Sequence, residues 1–170
     1  MKLVLDKRGD SMVIVRSLEQ QDYDFFMHMH YESINILEGK PPKHELLNAP
    51  NIKKYNKGWG KSGDRALVAL SDNKLVGAVW YRLLDEMDKG YGFVDSETPE
   101  LGVAVLPDFR QQGIGAILMK EIIQQARYDG FSSLSLSVDP NNHLAVRLYE
   151  KLGFEVCGMS GTSLTMKLTI

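Results

Sequence analysis

The segment that decides the fold of this chain is Arg110-Gln111-Gln112-Gly113-Ile114-Gly115-Ala116. It follows a short apolar run over residues 101–106, which is typical of a strand, and it opens a helical pattern that ends near Arg127. The first N–H groups of a helix have no intrahelical acceptor, and the helix dipole adds partial positive charge at that end. The glycine-rich turn therefore predicts an anion site, most often a site for phosphate.

A Gly-x-Gly pair is a weak signal by itself, because glycines mark turns more often than ligand sites. The plain alternative is a capped helix start beside a solvated arginine. Two other phosphate-binding motifs do not fit the chain. A dinucleotide-binding turn needs a third glycine where Leu118 stands, and a P-loop ending at residues 60–62 needs a glycine where Tyr55 stands.

A second segment, residues 134–153, helps to decide what kind of site the glycine-rich turn forms. Residues 134–138 alternate between apolar residues and serine, which predicts a strand. Pro140 then precedes a helical pattern over residues 142–152, which Gly153 ends. One helical stripe of that pattern carries Leu144, Ala145, Leu148 and Leu152.

Together the two segments resemble the GNAT superfamily of acyltransferases, which move an acetyl group from acetyl-CoA to an amine. In that family the motif Arg/Gln-x-x-Gly-x-Gly/Ala binds the CoA pyrophosphate, and it is matched here by Arg110, Gly113 and Gly115. A second family motif lines the pantetheine arm and the thiol, and it is matched by Asn142, Ala145, Leu148, Tyr149, Glu150, Lys151, Gly153 and Phe154. The resemblance covers residues 64–170, whereas residues 1–60 form the part that varies with the substrate in the family.

The order of the expected elements predicts an α/β fold with a central mixed sheet, a parallel strand–helix–strand core and helices on both faces. This agrees with the GNAT-like fold that the resemblance implies. We expect one domain over residues 1–170. Its acetyl-CoA-binding core is expected over residues 64–170, with strand 101–106, helix 113–127, strand 134–138 and helix 142–152 at the centre. The other expected elements are a hairpin of residues 3–5 and 12–16 across residues 7–10, a helix over 18–37, strands 65–70 and 75–83, and a closing hairpin of 154–157 and 163–169 across residues 158–161.

The composition excludes several classes of function. The net charge of −2 gives no reason to expect a nucleic-acid or anionic-membrane partner. No apolar run approaches the roughly 20 residues that cross a bilayer, and the N-terminus lacks the long apolar core of a signal peptide. The single cysteine, Cys157, cannot form an internal disulfide, which suits the reducing cytoplasm.

The resemblance also gives a cofactor role to the strand before the glycine-rich turn. Its backbone around Val103, Ala104 and Val105 is expected to pair with the pantetheine arm like an added strand. A backbone N–H near Val105 is a candidate to polarise the thioester carbonyl, as in an oxyanion hole. Gly102 and Ala104 give the strand one small face, for which the alternative explanation is close packing against a helix.

Tyr149 and Glu100 are the expected catalytic residues. A phenol with a reference pKa of about 10 can donate a proton to the departing thiolate, which is the role expected of Tyr149. The alternative for Tyr149 is a structural tyrosine whose hydroxyl merely finds a partner. Glu100 begins the central strand and is the expected base for the attacking amine, with Glu97 and an ordered water as competitors.

The acceptor is expected to meet the thioester from the side of the cleft opposite the two motifs, which residues 18–60 and the loop 84–98 would build. That loop concentrates acidic side chains, namely Asp85, Glu86, Asp88, Asp95 and Glu97. The other segment concentrates basic side chains, namely Lys53, Lys54, Lys57 and Lys61. The two charges together favour an amine that also carries a carboxylate or a carbonyl group.

The sequence thus predicts a cytoplasmic, CoA-dependent N-acetyltransferase that transfers acetyl directly in a ternary complex to a small-molecule or peptide amine. The alternatives are transfer of another acyl group, a hydroxyl acceptor, and a non-catalytic acyl-CoA sensor. No metal is expected, because His28 and His30 are two apart and point to different sides of a helix. Cys157 lies outside both motifs and is not expected to carry the acyl group. The resemblance also allows a homodimer.

Overall fold

The computed structural model describes residues 2–5 and 12–170, over which the chain forms eight strands and five helices. The strands are β1 Lys2–Leu5, β2 Met12–Ser17, β3 Arg65–Ser71, β4 Lys74–Arg82, β5 Glu100–Val105, β6 Ser133–Val138, β7 Glu155–Ser160 and β8 Ser163–Thr169. The helices are α1 Tyr23–Ser33, α2 Lys43–Asn48, α3 Pro50–Lys53, α4 Ile114–Tyr128 and α5 His143–Lys151. Among these described residues, no helix has the length and apolar character needed to cross a membrane.

The eight strands form one sheet in the order β1-β2-β3-β4-β5-β6-β8-β7. Neighbouring strands run antiparallel except β5 and β6, which are parallel and are connected through α4. The predicted mixed sheet with a parallel strand–helix–strand core is therefore confirmed.

Helices cover both faces of the sheet, as expected. On one face, Leu118 and Ile122 of α4 and Tyr149 of α5 share a buried cluster with Val79 and other strand residues. On the opposite face, Phe26 and Met29 of α1 pack against Ala78, Trp80 and Ala104. Adjacent residues of β4 thus belong to different clusters, because successive side chains of a strand point to opposite faces.

The small face of β5 is explained by packing. A Cβ atom on Gly102 would stand 2.7 Å from the ring of Trp80, so a side chain at this position would displace that ring. Ala104 is buried in the cluster that contains Phe26 and Met29. The close approach of Trp80 and α1 therefore accounts for the two small residues, which is the alternative that the sequence left open.

Some element boundaries differ from those expected. The helix predicted over residues 18–37 begins only at Tyr23, because Asp22 accepts hydrogen bonds from Arg16 and from the backbone of Glu19 and so fixes a separate turn. It ends at Ser33, after which Ile34 is extended. In α5, Leu144 is 62% exposed and is not part of the buried stripe.

Both predicted hairpins form. Strand β1 pairs antiparallel with β2, and the connection expected over residues 7–10 lies outside the described residues. Strand β7 continues to Ser160, so the turn to β8 lies at Gly161 and not over residues 158–161.

Candidate active site

A gap opens between the two parallel strands at the centre of the sheet. Their paired register consists of Glu100 opposite Ser135, and the Ser135 N–H donates to the Pro99 carbonyl at 2.9 Å. On the other edge of β5, the Leu106 N–H donates to the Val76 carbonyl of the neighbouring strand β4. Because hydrogen bonding alternates along an antiparallel strand, the N–H and C=O groups of residues 101, 103 and 105 face the gap.

Because of this alternation, the three β5 residues predicted to bind the cofactor do not all face the gap. Val103 and Val105 present their backbone groups to the gap, as a ligand lying along β5 requires. Ala104 instead pairs with Ala78 of β4, and its side chain is buried against α1. The cofactor role of all three residues stays a prediction, and the geometry supports it for the two valines.

The glycine-rich turn leaves a run of backbone amides without protein partners. Within the described part of the chain, no acceptor is bonded to the N–H groups of residues 111–116. Gly113 is the residue before α4 and has a φ of 88°, and Gln111 has a φ of 61°. A Cβ atom on Gly115 would meet only the Leu148 side chain, at 4.0 Å. The turn therefore combines free donors with open space at the positive end of a helix.

The structure gives Arg110 a contact that the sequence did not suggest. Its Nε donates to the Val105 carbonyl at 2.9 Å, and its Nη2 lies 3.1 Å from Glu32 on α1. The guanidinium thus links the end of β5 to α1, and its charge is already partly balanced. The predicted contact of Arg110 with phosphate stays a prediction. The free amides of residues 111–116 are better evidence for an anion site than Arg110 is.

The second motif residues lie at the start of α5 and along it. Asn142 is the helix N-cap, and its Oδ1 accepts a hydrogen bond from the Ala145 N–H at 3.3 Å. This cap satisfies one of the otherwise unpaired amides at the start of the helix. Ala145 packs against the core at partial burial. Asn142 therefore has a clear structural role, and its contact with a cofactor stays a prediction.

Tyr149 is buried on the inner side of α5. Its ring lies 5.9 Å from the ring of Phe154 in an edge-on contact. Burial raises the pKa of Tyr149 to about 12, so its hydroxyl is protonated throughout the neutral range. A protonated phenol is the state that a general acid requires, although packing with Phe154 alone also explains a tyrosine here.

Glu100 is a buried carboxyl group, only 6% exposed, at the point where β5 and β6 separate. Its Oε1 accepts a hydrogen bond from the Gly92 N–H, while Oε2 has no hydrogen bond of good geometry within the described residues. Burial raises the pKa of Glu100 to about 7, against the opposing effects of Tyr55, the Gly92 N–H and Lys54. Glu100 can therefore exchange a proton near neutral pH.

The competing carboxylate lies in a different environment. Glu97 is exposed in the turn before β5, where its N–H donates to Asp95. By contrast, the backbone of two glycines in the loop before β5 lies very close to the Glu100 carboxylate. A Cβ atom on Gly90 or on Gly92 would stand 2.5 Å from a carboxylate oxygen of Glu100. The loop is thus shaped around Glu100, which favours Glu100 over Glu97 as the base.

A cavity of about 390 Å³ lies on the other side of this loop. Three parts of the chain build it, namely α3 with the turn that follows, the loop between β4 and β5, and the hairpin of β7 and β8. Its walls are formed by Asn51, Lys54, Lys89, Gly90, Tyr91, Phe93, Met159, Ser160 and Thr165. The expected meeting of the N-terminal segment with the loop 84–98 is thus observed, and the hairpin is a contributor that the sequence did not indicate.

The turn after α3 is organised by a buried ion pair that sequence reasoning missed. Asp64 accepts hydrogen bonds from the N–H groups of Gly60 and Lys61, each at 2.9 Å, and from the guanidinium of Arg82. In the Gly-Lys-Ser sequence that resembled the end of a P-loop, the N–H groups of Gly60 and Lys61 are therefore already bonded to a carboxylate. Spacing along the chain gave no sign of Arg82, since it lies 18 residues away on β4.

His28 and His30 lie in different surroundings on α1, since His28 is partly exposed beside Glu32 whereas His30 is in the core. His30 is buried, stacks on Trp80 with ring centres 4.3 Å apart, and has a pKa lowered by burial to about 3. It is therefore neutral in the physiological range. Within residues 12–170, no group of three potential metal ligands comes together.

Comparison with known proteins now identifies the class. The model of the acetyltransferase (GNAT) family matches residues 24–154, and the chain belongs to that family. An uncharacterized N-acetyltransferase, ycf52, of Gracilaria tenuistipitata var. liui is 42% identical over 164 residues, covering 90% of this chain and 80% of that protein. The mycothiol acetyltransferase of Brachybacterium faecium is 31% identical over 126 residues, which is 74% of this chain. The match spans about a third of that longer protein, 36% of its length.

Solved structures agree on the fold. The GNAT domain of S. lividans PAT has a TM-score of 0.74 at 15% identity, with 99% of this chain and 96% of that domain covered. The PaiA N-acetyltransferase of Thermoplasma acidophilum, solved in complex with coenzyme A, has a TM-score of 0.66 at 21% identity, covering 93% of this chain and 99% of that one.

Proposed function

We propose that the protein is an N-acetyltransferase that moves the acetyl group of acetyl-CoA directly to the primary amine of a small molecule or peptide. The observation that carries this proposal is the position of Glu100, a buried carboxyl group at the apex of the gap between β5 and β6. The gap and the amides of residues 111–116 suit a CoA thioester, and Glu100 suits a base for the amine.

Acetyl-CoA binding would use backbone groups for the most part. The N–H groups of residues 111–116 would hold the pyrophosphate, with the dipole of α4 adding to the attraction. The amide-rich pantetheine arm would pair with Val103 and Val105 in the way that a strand is added to an open sheet edge. The divergence of β6 leaves this edge of β5 accessible.

The transfer would be a direct displacement at the thioester carbon. Glu100, ionised, would take a proton from the ammonium of the acceptor, either directly or through a water. The neutral amine nitrogen would then form a bond to the carbonyl carbon, the carbon–sulfur bond would break, and the nitrogen would release its second proton to water. The N–H of Val105 would stabilise the negative charge that develops on the carbonyl oxygen.

Tyr149 would complete the reaction as the acid. The departing thiolate takes up one proton, which the Tyr149 hydroxyl would supply before it regains a proton from water. A phenol whose pKa is raised to about 12 keeps its proton until the thiolate forms. The products are the acetylated amine and free CoA.

The acceptor would occupy the cavity next to Glu100. Lys54 and Lys89 line it; the Lys54 side chain is mostly buried and pairs with an exposed Asp88, whereas the Lys89–Glu86 pair is exposed on both sides. This arrangement favours an amine that also carries a carboxylate or a carbonyl group. One relative is, by its name, a mycothiol acetyltransferase, and small-molecule acceptors are thus one class to test. Cytoplasmic location and a homodimer stay predictions from the sequence.

A panel of amines tests the proposal directly. The purified protein is incubated with acetyl-CoA and each of a set of amino acids, peptides, polyamines and amino sugars, and free CoA is measured as thiol. We expect acceptor-dependent release of CoA for at least one class, and its loss in the Glu100→Gln variant at neutral pH. Binding of acetyl-CoA without CoA release for any amine or alcohol would favour the sensor alternative.

A further inference from the structure

Tyr55 lies where the acceptor cavity and the proposed base meet. It follows α3, and its hydroxyl accepts a hydrogen bond from the Tyr91 N–H at 2.6 Å. The same hydroxyl oxygen and Oε2 of Glu100 each lie 2.5 Å from the point where a Cβ atom on Gly90 would stand. The hydroxyl is therefore beside the carboxylate, and Gly90 and the Leu84 side chain lie next to both.

The chemistry of the hydroxyl group determines which of the two groups donates and which accepts. A phenol has one proton to donate and oxygen lone pairs that accept. Since the Tyr91 N–H already occupies a lone pair, the phenol proton is available to Glu100. Oε1 has the Gly92 N–H as its donor, whereas Oε2 has no well-formed bond to any described residue. A small shift of the Tyr55 ring toward Oε2 would give each carboxylate oxygen one donor.

We infer that Tyr55 is a positioning residue for the proposed base, holding the Glu100 carboxylate from the Oε2 side and linking it to the loop that walls the acceptor cavity. This inference rests on the proposed function for its role in the reaction. Its structural part, a Tyr55–Glu100 hydrogen bond, is testable without any acceptor.

The charged and titratable groups around Glu100 define the expected effect. Lys54 and Tyr55 face it from the turn after α3, and the Gly92 N–H faces it from the loop; all three lower the pKa of Glu100 against the effect of burial. Arg82 lies opposite Glu100 on β4, but its guanidinium is engaged by Asp64. Ser135 lies opposite on β6 with a neutral hydroxyl. Burial and the charge of Glu100 raise the pKa of Tyr55, which keeps it a donor.

Two substitutions separate the hydroxyl from the carboxylate in different ways. Tyr55→Phe removes the donor and keeps the ring. Gly90→Ala keeps the hydroxyl but places a methyl group between it and Oε2. Both changes should raise the pKa of Glu100, because each weakens a hydrogen bond to the charged form. Tyr81→Phe is the matched control, since Tyr81 is another buried tyrosine that donates to a carboxylate, Asp129, away from Glu100.

The first measurement is a ¹³C NMR titration of protein labelled at the glutamate carboxyl carbons, with Glu100 assigned by the loss of its signal in Glu100→Gln. We expect a midpoint near pH 7 in the unmodified protein. The midpoint should be about one pH unit higher in Tyr55→Phe, as expected for loss of a hydrogen bond to a charged group. It should also rise in Gly90→Ala and stay unchanged in Tyr81→Phe. An unchanged midpoint in both Tyr55→Phe and Gly90→Ala would overturn the inference.

The second measurement is the pH profile of kcat/KM for the best acceptor. If Tyr55 positions the base, the acidic limb moves upward with the NMR midpoint in Tyr55→Phe and stays in place in Tyr81→Phe. A shifted midpoint with an unshifted limb would refute the base role of Glu100 and leave the Tyr55–Glu100 bond established. The two claims can therefore fail separately.

Discussion

Arg82 and Asp64 form a two-point ion pair, with Nε 2.8 Å from Oδ1 and Nη2 2.7 Å from Oδ2, and both side chains are almost fully removed from solvent. The remaining guanidinium nitrogen donates to the carbonyl groups of Lys54 and Lys57, at 3.1 Å and 2.7 Å. The pair thus fixes the turn after α3 to the central sheet. Because Tyr55 and Lys54 lie in that turn, the ion pair also sets the position of one wall of the proposed acceptor cavity.

Replacing one partner of this pair should be strongly destabilising. Asp64→Asn leaves a buried guanidinium without its countercharge, which typically costs about 3–5 kcal/mol. We expect a decrease of that size in the free energy of unfolding, measured by urea denaturation. Glu86→Gln is the control, because its ion pair with Lys89 is exposed on both sides and should change stability by less than about 1 kcal/mol. Similar small effects of both substitutions would contradict the anchoring role.

Gly113→Glu should abolish the binding of CoA. The substitution places bulk and negative charge among the free amides, at a residue whose φ is 88°. In the unmodified protein, CoA should raise the melting temperature, because a ligand that binds only the native state stabilises it. Gly130→Glu is the matched control, since Gly130 has a φ of 89° and follows the opposite end of α4. Equal stabilisation of both variants by CoA would remove the turn from the binding site.

Tyr149→Phe tests the proposed acid. The substitution keeps the ring that packs against Phe154 and removes only the proton, so the fold and the CoA affinity should be retained. We expect kcat to fall roughly 10²-fold, the low end for general acid catalysis. Tyr128→Phe, at an 87% exposed position, should behave like the unmodified enzyme. Near-normal turnover by Tyr149→Phe would leave this tyrosine with a purely structural role.

Glu100→Gln tests the base through pH. Since burial raises the pKa of Glu100 to about 7, the carboxyl group gains a proton as the pH falls through that value, and kcat/KM should fall with it. In Glu100→Gln the rate should be lowest relative to the unmodified enzyme near neutral pH. It should recover in part at alkaline pH, where the free amine is already present. Glu97→Gln should retain the normal profile, and a parallel profile in Glu100→Gln would exclude Glu100.

Much of the fold could be predicted from local patterns. Strand β5, α4, β6 and α5 each lie within one or two residues of the expected bounds, because their apolar periodicity and the signals at Gly113 and Gly153 are local. The bounds of α1 were less accurate. The turn that delays its start depends on a contact between Arg16 and Asp22, and a periodic pattern does not register such a contact.

The site was only partly predictable for a related reason. Motif spacing pointed to the free amides and to Tyr149 on α5, because these features depend on single segments; the catalytic role of Tyr149 stays a prediction. The surroundings of Glu100 join Tyr55, Gly90 and Gly92, and the first of these is separated from Glu100 by 45 positions in the sequence. Likewise, Arg110 contacts Glu32 across 78 positions. Such long-range contacts are set by sheet topology, which residue spacing alone does not reveal.

The proposed acceptor preference depends on the lysines of the cavity. If Lys89 binds an anionic group of the acceptor, Lys89→Gln should lower kcat/KM about tenfold for a carboxylate-bearing amine, a loss typical of a charge-assisted hydrogen bond. The same change should leave turnover of spermidine equal or better, since it removes a repelling charge. Lys53→Gln is the control, because Lys53 bonds to Asn48 and does not line the cavity.

Assays at low and high salt separate attraction by the acidic loop of residues 84–98 from binding in the cavity, since screening weakens exposed charges first. Efficient, salt-sensitive turnover of spermidine with no activity on amino acids or peptides would show that the acidic loop dominates and that the preferred acceptor is a polyamine.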